Sequence, residues 1–499
     1  MVVATVVAAT WMASIDSTIT NLAFRDIAGG LNVSIDEVAW ISTSYVLAMV
    51  TALPLSGWLA ANVGRKRAFI ISVAVFTLAS LACAVSGSLV QLTLARFVQG
   101  FAAGVMQPLG AAALMDAFPR EDLPKVFKYI GFGGMVGPLA GPILGGSLLA
   151  NFPWPAIFLI NLPIGAATLW LAVAALREQS DRGERSAFDW SALALLGGGL
   201  AAMQFVIQQG PRDDWFSSPS VTAAALAAVA ALALFVRSQL RSARPLVDLH
   251  PLSSPSFSIG LALAIISGIG LTGTAFIVPL FFEQVLGFDA ATAGLGVVPA
   301  AAATIVGIQI AGMMSRRVSP VVVALVGLAC FAAGTLWFCL LGKNVGFAEI
   351  VAPRLVQGLG NGLIYLPLNV IIMRHVPQRW YDAASGLSGL ARQLGVSLGY
   401  AVLSGLLVRA QSSAASDFGA RVRITASGLE PIRAALVAHG YSTGDASTYS
   451  LALFAQLAAR NATLWGYNQT FFIIGMLSVV TMPVVALLWR TADRGGDLA

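Results

Sequence analysis

Gly133-Gly134-Met135-Val136-Gly137-Pro138-Leu139-Ala140-Gly141-Pro142-Ile143-Leu144-Gly145-Gly146 is a run that few environments tolerate as a helix. Gly133, Gly137, Gly141 and Gly145 recur every fourth residue, so on a helix they form one stripe without side chains. In water each interior Gly costs about 1 kcal/mol against Ala. In hydrocarbon an unpaired backbone is worse, so the helix persists and the stripe lets a neighbour pack backbone to backbone. Pro138 and Pro142 each remove an amide donor and permit a bend. Such a helix suits a gating hinge between two bodies that seal and rock, or, more simply, a tight helix crossing.

The surroundings are apolar throughout. Of 499 residues, 57% are hydrophobic and 10% charged, against about 25% charged in soluble domains. Apolar runs of roughly 20 residues, the length that crosses a hydrocarbon core, recur near 2–24, 37–61, 68–87, 89–113, 126–150, 154–176, 189–208, 220–240, 257–281, 291–313, 320–341, 347–372, 383–409 and 467–490. These predict an all-α polytopic membrane protein with 14 transmembrane helices. The net charge of +6 is then topological information and no sign of nucleic-acid binding. Cys83, Cys330 and Cys339 lie singly in apolar segments, which indicates neither a disulfide framework nor a metal site.

Basic residues alternate between loops. Arg65, Lys66, Arg67, Arg120, Lys125, Lys128, Arg177, Arg182, Arg185, Arg237, Arg241, Arg244, Arg316, Arg317, Arg374, Arg379, Arg490 and Arg494 mark one side; the short loops between hold Arg25, Arg212 and Lys343. Cytoplasmic loops collect Lys and Arg, so both termini are expected inside.

A shift of 258 residues places Arg96 on Arg354, Gln99 on Gln357, Gly100 on Gly358 and Gly104 on Gly362. It also places Gly131 on Gly389, Gly137 on Gly395 and Gly141 on Gly399. An even number of spans separates the copies, so the halves point the same way. Parallel halves place a substrate site between them near the midplane. The expected organisation is a six-helix bundle over 1–176, linkers and an inserted helix pair over 177–256, a second six-helix bundle over 257–490, and a tail over 491–499. Within the second bundle, 410–466 reads as a long extracytoplasmic loop with amphipathic stretches near 431–438 and 447–460: a solvated loop or a docking surface.

Asp16 is the one carboxylate well inside an early span. At about 1.5 Å per residue it sits a little past mid-membrane. A charge there costs roughly 2.5–3.5 kcal/mol on insertion scales, so it requires a cavity or a partner. Arg96 is the natural partner, a cation that keeps its own proton while biasing another group's. The pair reads as a proton-coupling site; a structural Asp tied to Ser17 or Thr20 is the alternative. Arg354, with Gln357, and Arg392 are the second half's buried polar groups, suited to helix bridging or gating. Glu283, at a span end, reads as interfacial or as a second proton site. Gly64 and Arg65 mark a tight turn between the second and third spans.

There is no GxxxxGK[ST], so the chain carries no nucleotide-driven motor of its own, and an ion gradient remains as the energy source. Trp11, Met12, Trp40, Tyr45, Met49, Met106, Gln107, Phe276, Gln309, Tyr365 and Asn369 lie on spans that could line a cavity for apolar ligands.

Taken together, these residues resemble the major facilitator superfamily, in particular its fourteen-span drug:proton antiporters of the EmrB/QacA type. Asp16-Ser17-Thr18-Ile19-Thr20-Asn21-Leu22-Ala23 resembles the first-span motif, whose Asp is implicated in proton coupling. Arg96-Phe97-Val98-Gln99-Gly100 is similar to the fourth-span RxxQG motif, and Gly137 to Gly146 matches the antiporter signature GxxxGPxxGG. Ala61 departs from the pattern, standing where the superfamily commonly has Asp, which removes the charge relay usually assigned there. The resemblance implies a major facilitator fold of two parallel six-helix bundles plus the inserted pair, in a bacterial inner membrane. It implies no cofactor beyond H+ as coupling ion. The expected activity is H+/drug antiport of hydrophobic small molecules by alternating access. The long 410–466 loop resembles the EmrB branch, whose members work with a periplasmic adaptor and an outer-membrane channel. A dedicated exporter of one metabolite or siderophore is the alternative on the same fold, and a non-transporting scaffold or sensor the alternative in another class.

Overall fold

The structure, a computed structural model, describes residues 1–118, 140–176, 188–210, 213, 215–242, 245–315, 317–343, 345–373, 376–377, 380–424, 429–439 and 441–494. Among the described residues every long element is a helix. In the first half these are α1 (Val2–Leu22), α2 (Phe24–Leu31), α3 (Ile35–Ala52), α4 (Leu55–Asn62), α5 (Arg65–Ala84), α6 (Leu89–Ala117), α7 (140–151), α8 (Ala156–Leu159) and α9 (Asn161–Ala175). The inserted pair is α10 (Trp190–Gln209) and α11 (Pro219–Arg241). The second half follows with α12 (Pro255–Gln284), α13 (Ala290–Met314), α14 (Pro320–Trp337), α15 (Phe347–Met373), α16 (Tyr381–Ile424), α17 (Glu430–Ala438) and α18 (Thr443–Arg494).

Twelve described helices are long and apolar enough to cross a membrane, and thirteen if α3 and α4 form one span. The expected fourteen include the span over 126–150, most of which lies outside the described residues. The span expected as continuous over 37–61 is broken: α3 and α4 meet at 52°. Pro54 caps α4 at the break, and its ring and missing N–H explain the interruption. Large side chains face outward where water would not accept them. On α11, Leu226, Val229 and Leu240 are 68%, 69% and 65% exposed, as a lipid-facing helix requires.

The repeat seen in the sequence is a repeat of helix crossings. Gly100 and Gly104 of α6 lie against the backbone oxygens of Tyr45 and Met49 on α3, so close that any Cβ would collide. Gly358 and Gly362 of α15 lie in the same way against the oxygens of Ala300 and Thr304 on α13. Both crossings step by four residues on each partner, the spacing at which one helix face meets another. A third contact of this kind joins Gly395 of α16 to the backbone of Ile265 on α12.

The halves meet through α3 and α16, and through α1 and α12. Tyr400 Oη donates to Asn21 Oδ1 (2.9 Å), and Ser42 Oγ donates to the same oxygen (3.2 Å). Phe276 fills the seam, edge-on to Phe24 at 5.3 Å and to Tyr400 at 5.9 Å. The inserted pair packs beside this seam, with Gln204 of α10 donating to the Ser397 carbonyl of α16 (2.9 Å). The segment 410–466 is largely helical: α16 runs on to Ile424, α17 is separate, and α18 begins at Thr443.

Candidate functional site

Asp16 is 1% exposed on α1 and Arg96 1% exposed on α6, with Arg96 Nη1 donating to Asp16 Oδ2 at 2.5 Å. The other carboxylate oxygen accepts from Gln99 Nε2 (3.0 Å) and Asn161 Nδ2 (2.7 Å). Ser80 of α5 ties these two amides together, accepting from Gln99 (2.6 Å) and Asn161 (3.0 Å). Arg96 also donates to Gln99 Oε1 (2.6 Å), and its guanidinium lies 4.2 Å from the Tyr45 ring centroid and 5.8 Å from that of Phe158. Two ions buried this deeply each cost several kcal/mol of hydration, which is balanced only when their remaining lone pairs and protons are satisfied. Four helices, α1, α5, α6 and α9, supply groups that satisfy most of them. Among the described residues Arg96 Nε has no partner, as Arg354 Nε has none.

Asn161 and Ser80 escaped the sequence reading. A lone amide in the apolar run Phe158-Leu159-Ile160-Asn161-Leu162 was the available signal for the first. A serine in a span carries no such signal, because it can bond its own helix backbone.

A cavity of about 590 Å³ opens between the halves, within the size range of small-molecule sites. Thr18, Asn21 and Pro142 line it from the first half; Thr274, Pro279, Ile305, Phe331, Arg354 and Tyr365 line it from the second. A smaller cavity of about 60 Å³ shares Phe331, Asn361 and Tyr365 with it and extends to Asn369 and Arg392. Arg392 donates to Asn369 Oδ1 (3.3 Å) and stands 5.3 Å from the Tyr365 ring centroid.

The residues proposed from sequence as a cavity lining divide. Tyr365 and Asn369 line these cavities. Met12, Tyr45, Met49, Met106 and Phe276 are buried in the packed core, where they fill helix crossings, and line neither one. Trp40 is half-buried; Trp11, Gln107 and Gln309 are exposed, and none of these four lines either cavity. Asp16 is likewise absent from both linings, being enclosed within the first half.

In the glycine stripe, Gly133, Gly137 and Pro138 lie outside the described residues. A Cβ on Gly141 would collide with the Thr18 hydroxyl of α1, and one on Gly145 would stand 3.3 Å from Ile19 and Leu22. Gly294 of α13 packs against the Pro142 carbonyl from the other half, so α7 touches both halves. Gly64 adopts φ +95° in the turn between α4 and α5, a conformation L side chains rarely take. Arg65 beside it donates to the Ala112 carbonyl of α6 (3.2 Å). Glu283 is 4% exposed, and its backbone oxygen accepts from Arg25 Nη1 across the seam (3.4 Å).

The Major Facilitator Superfamily profile matches residues 6–400. The chain belongs to the major facilitator superfamily. It is a membrane transporter of that family and not an enzyme. It is 28% identical, over 98% of its length and 96% of the relative's, to the fatty acid resistance protein FarB of Neisseria gonorrhoeae. To the multidrug export protein EmrB of Escherichia coli strain K12 it is 29% identical, over 96% of its length and 93% of the relative's. The backbone is similar to that of the nucleoside transporter NupG, with a TM-score of 0.65 and 12% identity over 98% of this chain and 100% of that one. A likeness at that identity speaks to the fold alone.

Proposed function

We propose that this superfamily member is a proton-coupled exporter of hydrophobic small molecules, working by alternating access. The observation that carries the reading is the enclosed Asp16–Arg96 pair in the first half together with a largely apolar cavity between the halves. Asp16 is the proton carrier. When it is protonated, its hold on Arg96 weakens and the α1–α6–α9 packing relaxes; when it is ionised, the pair re-forms. The bodies that rock are residues 1–176 and 257–490, with the α7 stripe as the hinge that both touch. The remaining expectations complete the proposal: fourteen spans, both termini cytoplasmic, and a bacterial inner-membrane location. Likeness to EmrB along almost the whole chain supports the multidrug reading, and the helical 410–466 segment is the surface offered to a periplasmic adaptor and outer-membrane channel.

The test uses the full chain in vesicles with an imposed pH gradient and a panel of lipophilic dyes. Movement of several dyes that depends on the gradient, and that Asp16→Asn abolishes, supports the proposal. Gradient-driven movement that survives Asp16→Asn overturns the coupling assignment. A single accepted dye favours a dedicated exporter, and none favours the scaffold.

A further inference from the structure

The two halves repeat in backbone but not in charge. The 258-residue shift that carries Arg96 to Arg354 and Gln99 to Gln357 carries Asp16 to Thr274. Most of the first half's network has a counterpart. Arg354 Nη1 donates to Gln357 Oε1, as Arg96 does to Gln99. Gln357 Nε2 donates to Thr335 Oγ1 (2.9 Å), as Gln99 does to Ser80 (2.6 Å). The carboxylate has no counterpart. Among the described residues no Asp or Glu pairs with Arg354. Its guanidinium is nevertheless buried, in a residue 4% exposed: Nη2 reaches the Val297 carbonyl at a long 3.4 Å, and Nε has no partner.

This cation stands in the wall of the 590 Å³ cavity, whose lining also includes Thr274. No acidic side chain is among the described residues that line this cavity or the smaller one holding Arg392. The rest of the wall is apolar or carries neutral amides and hydroxyls. A buried charge without a counter-charge is costly, and the described residues supply none here. A guanidinium, with its planar fork of N–H groups, matches a carboxylate in shape and charge.

We infer that Arg354 receives the anionic head of the substrate, and that the transported class is lipophilic acids. A carboxylate or similar planar oxyanion takes the place that Asp16 holds in the first half, and its apolar body lies along Pro279, Ile305, Ile308 and Phe331. A lipophilic cation finds no counter-charge in this wall, since Asp16 is enclosed and already paired with Arg96. The inference rests on reading the cavity as the substrate site proposed above.

The test is a binding measurement without any gradient, on the full chain in neutral detergent, with empty micelles as baseline. Two fluorescent probes share a ring and tail and differ in the head: 1-pyrenebutyrate and pyrenebutyltrimethylammonium. The acid is expected to bind about tenfold tighter than the cation. Arg354→Gln abolishes that preference, and Arg354→Lys, which keeps the charge but loses the fork, retains part of it. Thr274→Asp rebuilds the first half's pair inside the second and abolishes the preference as well. Should Arg354→Gln fail to fold, Thr274→Asp carries the decision. Equal affinities in the unaltered chain, tighter binding of the cation, or a preference that survives Thr274→Asp overturns the inference. A chain that binds the acid through Arg354 but moves no dye under a gradient overturns the transport proposal and leaves this site standing.

Discussion

Arg96 and Arg354 hold equivalent places in the two halves, both almost wholly buried and each bound to a glutamine three residues on, but among the described residues only Arg96 meets a carboxylate. The difference teaches that a duplicated backbone does not duplicate its electrostatics. In the first half the charge is balanced inside the protein, with Asn161 and Ser80 closing the network around it. A group held in that way can exchange a proton without exposing an ion to lipid. In the second half the same arginine is left facing the cavity. On the proposed function, the first half holds a proton and the second a cargo.

The strongest way to break this comparison is to truncate the side chain at the matching position in both halves. Asp16→Ala leaves Arg96 buried without a counter-charge, and arginine cannot escape by losing its proton. The expected cost is about 3–5 kcal/mol of stability, the usual penalty for breaking a buried pair from one side. Thr274→Ala, at the matching position, removes only a hydroxyl, and its expected cost is about 1 kcal/mol. Thermal unfolding of the purified chains followed by tryptophan fluorescence reads both. Equal losses would mean that the two arginines are balanced alike, and the comparison would fail.

A second pair of substitutions tests the part that does repeat. Gly100→Ala and Gly358→Ala each place a methyl against a carbonyl oxygen of the facing helix, Tyr45 in one half and Ala300 in the other. Overpacking of this kind costs about 1–3 kcal/mol, and the two losses are expected to match within about 0.5 kcal/mol, as independent sites allow. Unequal losses would show that the crossings are alike in sequence and not in tightness.

Much of this was legible beforehand. Hydropathy marks where the chain meets lipid, so the run of spans could be read directly. The 258-residue offset exposed the duplicated crossings, and a carboxylate inside an apolar run identified Asp16 together with its need for a partner. Hydropathy does not report which face of a helix turns inward. That is why Met12, Met49 and Met106, suited by chemistry to a ligand cavity, are instead filling helix contacts. Nor did the apolar run over 37–61 reveal the bend at Pro54, because its hydropathy is the same on both sides. Past residue 409, polar residues end the apolar signal while the helix of α16 continues to Ile424.

The turn at Gly64 has a smaller expected effect, and it belongs to the first half alone, since the same offset places Val322 in the middle of α14's first turns. With φ at +95°, Gly64→Ala meets no neighbouring atom but must hold a strained backbone, at about 1–2 kcal/mol. An unchanged melting temperature would mean that the turn relaxes to negative φ and that its geometry does not fix the start of α5.

The smallest effect concerns a glycine that repeats without a crossing behind it. The offset that pairs Gly100 with Gly358 also pairs Gly131 with Gly389. Yet nothing lies within 4 Å of where a Cβ on Gly389 would stand. Gly389→Ala therefore fills open space in a helix and removes backbone freedom from the unfolded chain. Its expected effect is within about 1 kcal/mol and toward stabilisation, in contrast to the loss at Gly358 thirty-one residues earlier. The same thermal unfolding assay decides it. A loss as large as that at Gly358 would mean that α16 closes against a neighbour in another state of the transport cycle, which would move Gly389 from the spare residues of the repeat to its working ones.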